Sequence, residues 1–257
     1  MSALATRSAV ARHAFAGLVR SELRLNVREP AGLVVGFGLP VVLLLVFGSI
    51  PKFLEPTPEL GGLTPLDLYG PILMVFTLSM LALNALPMRL ATYRELGFLR
   101  RLAVTPVPPT RLLAAQLTVY VGVAVAAIAV MLLLGYLRFG MRLPGSIPGL
   151  VVTVVLTGAA LFPIGLWVSA VAATAKAAGA IGSVLFFVLA FCAGLWWPVP
   201  TMPEALRAVV ERTPTGAAVQ ALNDTVAGGF PSLAPLLVLV AYAVVFTSLA
   251  VRTFRWE

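Results

Sequence analysis

The chain has 257 residues, of which 60% are hydrophobic and only 11% are charged, whereas a soluble domain carries about 25% charged residues. This composition excludes an ordinary water-soluble domain. The formal net charge is +8, but the basic residues are spread along the edges of apolar segments, so we expect no nucleic-acid partner.

Residues 8–28 form the first predicted element, an amphipathic helix at the membrane surface. At 100° per residue, arginines lie on one face and Glu22 interrupts the apolar face, which carries Ala11, Ala14, Phe15, Leu18 and Leu25. Such a helix lies in the headgroup region. We interpret it either as a simple membrane anchor or as a lever that carries motion from a cytoplasmic partner.

Six uncharged apolar windows divide the chain, and each is long enough to cross a membrane. A hydrocarbon core of about 30 Å needs roughly 20 helical residues. The sequence therefore predicts an all-α integral membrane fold, with six transmembrane helices in a single domain over residues 1–257. The predicted spans are 31–50, 68–88, 112–134, 147–173, 178–197 and 233–251.

The distribution of basic residues predicts the orientation. In this topology, 13 of the 18 Lys and Arg residues flank the spans on one side and five flank them on the other. Basic residues are retained on the cytoplasmic side of short loops. We therefore expect a multi-pass protein of the cell membrane, in a bacterial inner or plasma membrane, with both termini cytoplasmic.

The loop between spans two and three contains a short predicted helix. Leu96, Leu99 and Ala103 recur at helical spacing, and Gly97 leaves a spot without a side chain. Prolines after Thr105 end the helix before span three. We interpret the segment as a rigid cytoplasmic knob for a partner; the alternative is a basic loop that happens to be helical.

A second predicted feature lies on the outer side, before the last span. One short helix runs from Pro203 to Arg212, and another from Thr215 to the glycines at 228 and 229. Tryptophans favour the headgroup level, and Trp196 and Trp197 lie just upstream. The pattern predicts a re-entrant or interfacial helical hairpin, with a plain ordered loop as the alternative.

The sequence lacks the residues that several kinds of activity require. The phosphate-binding pattern Gly-x-x-x-x-Gly-Lys-Ser/Thr does not occur, so we expect no ATP hydrolysis by that route. The predicted spans contain no charged ion-coupling residue, His13 is the only histidine and Cys192 the only cysteine. We therefore expect a non-enzymatic chain without catalytic residues, a metal or a cofactor of its own, driven by an external source of energy.

The run from Glu95 to Pro106 (ELGFLRRLAVTP) resembles the Glu-x-Gly-x-Leu-x-x-Leu-x-x-Thr/Ser-Pro segment of ABC-2 type permeases. These are six-span exporter subunits that include daunorubicin-resistance-like proteins. The proline-bounded segment from Pro198 to Asn223 is similar to that family's external segment. It departs from the family pattern by carrying Thr213-Pro214 where Asn-Pro is frequent, and Asn223-Asp224 in place of a closing Arg.

This resemblance implies the transmembrane subunit of an ATP-driven exporter. It implies a dimer of separate cytoplasmic ABC ATPase subunits that bind ATP and Mg, a second permease copy, identical or related, and membrane lipids as surroundings. The implied ATPase-coupling residues are Arg94, Glu95, Leu96, Gly97, Phe98, Leu99, Arg100 and Arg101. The implied external gate comprises Trp196, Trp197, Pro198, Pro203, Leu206 and Pro214.

Aromatic and weakly polar residues within the spans are candidates for a substrate path. They suit an amphiphile such as a hydrophobic drug, a lipid or a lipid-linked glycan, and they are Phe76, Ser79, Asn84, Phe186 and Phe187. Two other functions stay open at this point. One is a channel or secondary carrier that works without ATP, and the other is a membrane sensor or scaffold that moves no solute.

Overall fold

The computed structural model describes residues 2–28, 32, 34–58, 62–98 and 109–253, and every regular element in these ranges is helical. Ten α-helices are described: α1 (Ser2–Arg28), α2 (Leu39–Gly48), α3 (Pro65–Met80), α4 (Leu86–Glu95), α5 (Pro109–Phe139), α6 (Ile147–Val171), α7 (Ala175–Cys192), α8 (Glu204–Val210), α9 (Pro214–Val226) and α10 (Leu233–Thr253). Two short π-helical segments, Val34–Gly38 and Leu81–Ala85, lead into α2 and α4, and 3₁₀ turns occur at Pro51–Phe53 and Val199–Thr201.

Five of the described helical stretches are long and apolar enough to cross a membrane. They are Pro65–Glu95, Thr110–Phe139, Ile147–Val171, Ala175–Cys192 and Leu233–Thr253. Another apolar stretch, Val34–Gly48, is shorter, and its 15 residues reach about 22 Å. The chain is therefore a multi-pass membrane protein, and its sixth span, expected over 31–50, stays a prediction.

The ends of two helices are determined by glycines with positive φ angles, and they differ from the ends of the uncharged windows in the sequence. The stretch that contains α3 and α4 continues past Arg89 to Glu95, and Gly97 then takes a left-handed conformation with φ of +66°. Helix α7 ends at Cys192, short of the predicted 197, because Gly194 adopts a φ of +87° that stops the helix.

The centre of the bundle is the long stretch formed by α3, the π-helical segment Leu81–Ala85 and α4. Thr64 caps its start in a reciprocal capping box with Asp67. Pro87 lacks an amide donor, so the carbonyl of Leu83, four residues earlier, has no partner in regular α-helical pairing. The π-helical segment lies at this point, as expected where helical pairing is interrupted.

Two glycines of neighbouring helices pack against this interrupted turn. Gly165 of α6 lies so close to the carbonyl oxygen of Ala82 that a methyl group at position 165 would overlap it. Gly182 of α7 lies equally close to the carbonyl oxygen of Leu83. Small residues allow helix backbones to approach closely in lipid, and both glycines therefore fix the positions of α6 and α7 around the central stretch.

The core is formed by α3 and the π-helical segment that follows it. Nearly all of α3 is buried, and Leu73, Leu81 and Leu83 have no accessible surface. Helices α5, α6 and α7 pack around it, and α10 packs mainly against α6. Outer faces of α7 and α10 expose apolar side chains such as Val184 and Val244, as expected for surfaces that contact lipid acyl chains.

Helix α1 covers the predicted amphipathic segment and packs against α5. Its buried side includes the predicted apolar face at Phe15 and Leu18, which are half-buried, but it is centred on Glu22 and Asn26, and Leu25 of the predicted face is exposed. The physical reason is that this face meets polar side chains of the bundle, described below. Ala11 and Ala14 lie outside the residues whose side chains are described.

Candidate functional site

We call the end of the bundle where α4 ends and α5 begins the basic end. There, the carboxylate of Glu22 on α1 accepts hydrogen bonds from the hydroxyl of Tyr93 at 3.0 Å and from Nε2 of Gln116 at 3.5 Å. Glu22 is 2% exposed, and a buried carboxylate needs such donors to offset its desolvation. This contact, which we call the Glu22 junction, joins α1, α4 and α5.

The ring of Tyr93 links the Glu22 junction to the surface of the basic end. The guanidinium carbon of Arg89 lies 5.2 Å from the centroid of the Tyr93 ring, and the centroid of the Phe98 ring lies 5.1 Å from it. Tyr93 therefore connects a buried carboxylate with Phe98 of the predicted coupling segment.

Burial raises the pKa of Glu22, while the hydrogen bonds from Tyr93 and Gln116 and the positive charge of Arg89 act in the opposite direction. A carboxyl group with a raised pKa in the folded state stabilises the fold below its ordinary pKa. This contribution is lost as the pH rises through the raised value. The stability of the protein should therefore fall with rising pH above 4.5, the ordinary pKa of a glutamate.

We expect Glu22→Gln to flatten this pH dependence, since glutamine keeps a hydrogen-bond acceptor for Tyr93 but does not titrate. The measurement is the melting temperature of the purified chain between about pH 4 and pH 7. Glu55→Gln is the matched control, because Glu55 is exposed. Equal slopes for wild type and Glu22→Gln would show that Glu22 does not titrate in this range.

Of the eight predicted coupling residues, the structure describes five, and Leu99, Arg100 and Arg101 lie outside the described residues. Leu96 is 65% exposed and Phe98 is 41% exposed at the end of α4, beside the turn at Gly97. Arg94 and Glu95 instead direct their side chains to the turn between α6 and α7. The predicted segment thus separates into an exposed apolar part and a charged part that contacts the bundle.

The predicted external hairpin is formed by α8 and α9 at the end of the bundle opposite the basic end. Pro203 lies just before α8 and not inside its first turn, whereas Pro214 opens α9 and is buried. Leu206 packs on a cluster of Cys192, Met202 and Val210. Pro198 precedes the 3₁₀ turn, and the two neighbouring tryptophans, Trp196 and Trp197, are exposed.

Helix α9 lies within the bundle and not on its surface. It packs against α3, α6, α7 and α10, and most of its residues are buried. The hydroxyl of Thr215 donates to the carbonyl of Leu189 at 2.7 Å, one turn before α7 ends. At the other end, the amide of Gly145 donates to the carbonyl of Thr225 at 2.9 Å. The hairpin is thereby attached to α7 and to the α5–α6 loop.

One of the candidate path residues lines a groove between helices, three form a row of aromatic rings, and Ser79 belongs to neither. Asn84, in the π-helical segment, accepts a 3.0 Å hydrogen bond from Ser183 of α7. Both line a lateral groove of about 310 Å³ whose other walls are Gly32, Val35, Met80, Ala85, Met88 and Gly179. Ser79 is buried and donates to the carbonyl of Val75, so it does not line this groove.

Aromatic rings connect the remaining path residues with the hairpin. Phe76 packs edge-on against Phe186 with 5.1 Å between ring centroids, and Phe186 packs edge-on against Phe187 at 5.7 Å. Phe187 stacks on Trp196 with a centroid distance of 6.0 Å. Phe76 and Phe186 are buried, whereas Phe187 is exposed. The row therefore runs from the core of the bundle to its surface beside the predicted external gate.

The partners of Glu22 were not predicted from the sequence, in which this residue only interrupts an apolar face. Neither Tyr93 nor Gln116 was expected to contact it. A signal was present, because Glu22 and Asn26 are one helical turn apart and Gln116 is a polar residue within an uncharged window. In the parts of the chain that the structure describes, no three His, Cys, Asp or Glu side chains form a group suited to a metal ion.

Comparisons with known proteins agree with this architecture. The family model described as "ABC-2 type transporter" matches residues 13–227. The chain is also similar to the protein named "Putative transport permease YvfS" of Bacillus subtilis (strain 168), with 27% identity over 177 residues. This alignment covers 68% of the present chain and 72% of that relative.

Proposed function

Because the chain belongs to the ABC-2 type transporter family, we propose that it is the membrane subunit of an ATP-driven exporter. Membership makes it a transmembrane permease subunit of an ABC transporter that associates with an ABC ATPase. The proposal goes further in direction and substrate: outward movement of a hydrophobic or amphiphilic molecule, powered by a separate ATPase dimer that binds ATP and Mg.

One observation carries the proposal: the end of α4 is attached to α1 and to the α6–α7 turn while it exposes apolar side chains. Tyr93 contacts α1, and Arg94 and Glu95 contact the α6–α7 turn. Leu96 and Phe98 are exposed beside these contacts. Exposed large apolar residues at a polar end favour a protein partner, so a force applied there would reach several helices at once.

The proposed orientation places the basic end in the cytoplasm. Arg20, Arg24, Arg28, Arg89 and Arg94 lie on helices that end or pack there, as the retention of basic residues on the cytoplasmic side predicts. In this arrangement both termini are cytoplasmic, Val34–Gly48 belongs to the first of six spans, and the whole chain is one transmembrane domain. An ATPase would then meet Leu96 and Phe98, and the α8–α9 hairpin would face outward.

The proposal includes a second copy of the chain, identical or related, as partner, and it assigns the lateral groove to the substrate. Apart from Asn84 and Ser183, the groove is lined by apolar side chains and glycines, which suits an amphiphile with few polar groups. In this proposal the groove and the row of aromatic rings guide the substrate, and the hairpin with its two exposed tryptophans closes the outer end of the path.

The test is ATP-dependent transport by the chain reconstituted in liposomes with its ATPase. Hydrophobic drugs, phospholipids and lipid-linked glycans are added singly, and ATP hydrolysis and substrate movement are measured together. We expect one class to stimulate hydrolysis and to cross the bilayer only with ATP. Substrate movement by the chain without its ATPase would indicate a channel or carrier. If no substrate of any class crosses the bilayer, with or without ATP, a scaffold would be favoured.

A further inference from the structure

Two adjacent residues of opposite charge at the end of α4 hold the turn between α6 and α7. Nη1 of Arg94 donates to the carbonyl oxygen of Ser169 at 3.1 Å, and Nη2 donates to the carbonyl oxygen of Ala172. Oε1 of Glu95 accepts a hydrogen bond from the amide of Ala175 at 2.9 Å. Each charged side chain thus contacts the end of a different helix.

The signs of the charges match the helix ends that they contact. Ser169 lies in the last turn of α6 and Ala172 caps its C-terminus, whereas Ala175 is the first residue of α7. Terminal carbonyls and amides lack partners within their own helix. A cation is favourable at a helix C-terminus and an anion at an N-terminus, so Arg94 and Glu95 satisfy both helices in the arrangement that electrostatics favours.

A dry contact of small side chains lies next to these hydrogen bonds. Ala91 of α4 packs against Ala172 and Ala178, and all three are buried. Alanines let the backbone of α4 come close enough for the short reach of Glu95. Thr174 completes the turn by accepting a hydrogen bond from the amide of Ala177 at 3.1 Å, which leaves the Ala175 amide to Glu95.

We propose that Arg94 and Glu95 form a bracket that makes α4, α6 and α7 move as one unit, so that they act as positioning residues within the subunit. The inference rests on the proposed function, because the motion it transmits would come from an ATPase at Leu96 and Phe98. It gives these two members of the coupling segment a contact within the subunit, in which their charges act on helix ends.

The first test needs only the purified chain. Hydrogen exchange of the peptide that covers residues 173–178 reports on the Ala175 amide. We expect Glu95→Ala to speed its exchange about tenfold, since the amide loses its acceptor, and Glu95→Gln to restore protection because glutamine keeps Oε1. Arg94→Lys keeps the charge but cannot span two carbonyls, so it should loosen the turn as well.

The matched control is Lys176→Gln, which removes a charge from an exposed residue in the first turn of α7. It should leave the exchange of the Ala175 amide unchanged. Unaltered exchange in both Glu95→Ala and Arg94→Lys would overturn the bracket. Because these measurements use the chain without an ATPase, they stand whether or not the proposed exporter function is correct.

The second test uses the chain in complex with its ATPase. Exchange of residues 169–178 is compared between the nucleotide-free and the vanadate-trapped complex. We expect a clear difference in wild type that falls about fivefold in the Arg94→Lys/Glu95→Ala pair, which removes the acceptor of the Ala175 amide and cannot span the two carbonyls. Both replacements are smaller than the native side chains and so cause no overpacking. A response of wild-type size in this pair would contradict transmission through the bracket.

Discussion

Alanine at Gly165 or Gly182 is expected to destabilise the protein by about 3 kcal/mol or more, the upper range for overpacking. A methyl group at either position would overlap a backbone carbonyl oxygen, of Ala82 or of Leu83. Backbone cannot rotate away as a side chain can, and the π-helical segment is enclosed by its neighbours. The helices around it would therefore have to separate, which also removes apolar contacts in the core.

The measurement is the melting temperature of the purified protein in mild detergent. A loss of 3 kcal/mol corresponds to a decrease of roughly 10 °C for a chain of this size. Gly122→Ala on α5 is the matched control, because nothing lies within 4 Å of a methyl group there. If Gly165→Ala and Gly182→Ala had the same melting temperature as the control Gly122→Ala, the close approach at the π-helical segment would not exist.

Replacing Leu96 by glutamate is expected to reduce recovery of an ATPase partner at least about tenfold. The side chain is exposed at the basic end, and a buried charge in place of a central apolar contact is expected to cost about 2 kcal/mol or more. A loss of about 1.4 kcal/mol is already a factor of ten in affinity. Leu96→Met keeps an apolar side chain of similar volume and should retain binding. The readout is the ratio of ATPase to permease after affinity purification.

Leu143→Glu is the control, because it makes the same substitution at an exposed leucine on the opposite side of the membrane. Leu143 is also an exposed apolar residue, but it lies in the α5–α6 loop at the opposite end, and the proposed partner cannot reach it. Loss of the ATPase in Leu143→Glu but not in Leu96→Glu would reverse the proposed orientation. Phe98→Glu should resemble Leu96→Glu, although its ring also packs on Tyr93, so part of its effect would arise within the subunit.

The family and the existence of the long apolar helices could be predicted from the sequence, because both depend on local information. The run that begins at Glu95 identified the family, and residues 13–227 match it. Uncharged windows located five candidate spans. The helix ends differ from the ends of the windows, because Gly97 and Gly194 end helices through their φ angles and not through charge.

The contacts of charged residues were not predictable from helical periodicity alone. Glu22 was assigned to a membrane-facing surface, yet its partner Tyr93 lies 71 positions further along the chain. Likewise, Glu95 was assigned to a partner-facing segment, and its amide donor belongs to α7. Burial of polar groups depends on which helices pack together, and no single stretch of sequence contains that information.

The candidate path shows the same limit. Five residues were chosen for aromatic or weakly polar character, and the structure places Asn84 in the lateral groove while Ser79 satisfies its hydroxyl within its own helix. The π-helical segment determines where Asn84 is directed, and it arises from Pro87 together with close packing by Gly165 and Gly182. Its effect could be anticipated only once the neighbouring helices were known.

Affinity purification of the chain from its native membrane in mild detergent, with the stoichiometry of the co-purifying proteins, tests the proposed function most directly. We expect one soluble ATPase with a phosphate-binding loop for each permease copy, lost in Leu96→Glu and retained in Leu143→Glu. Repeated recovery of the folded wild-type chain without any ATPase would contradict the proposed function and would favour a channel or carrier.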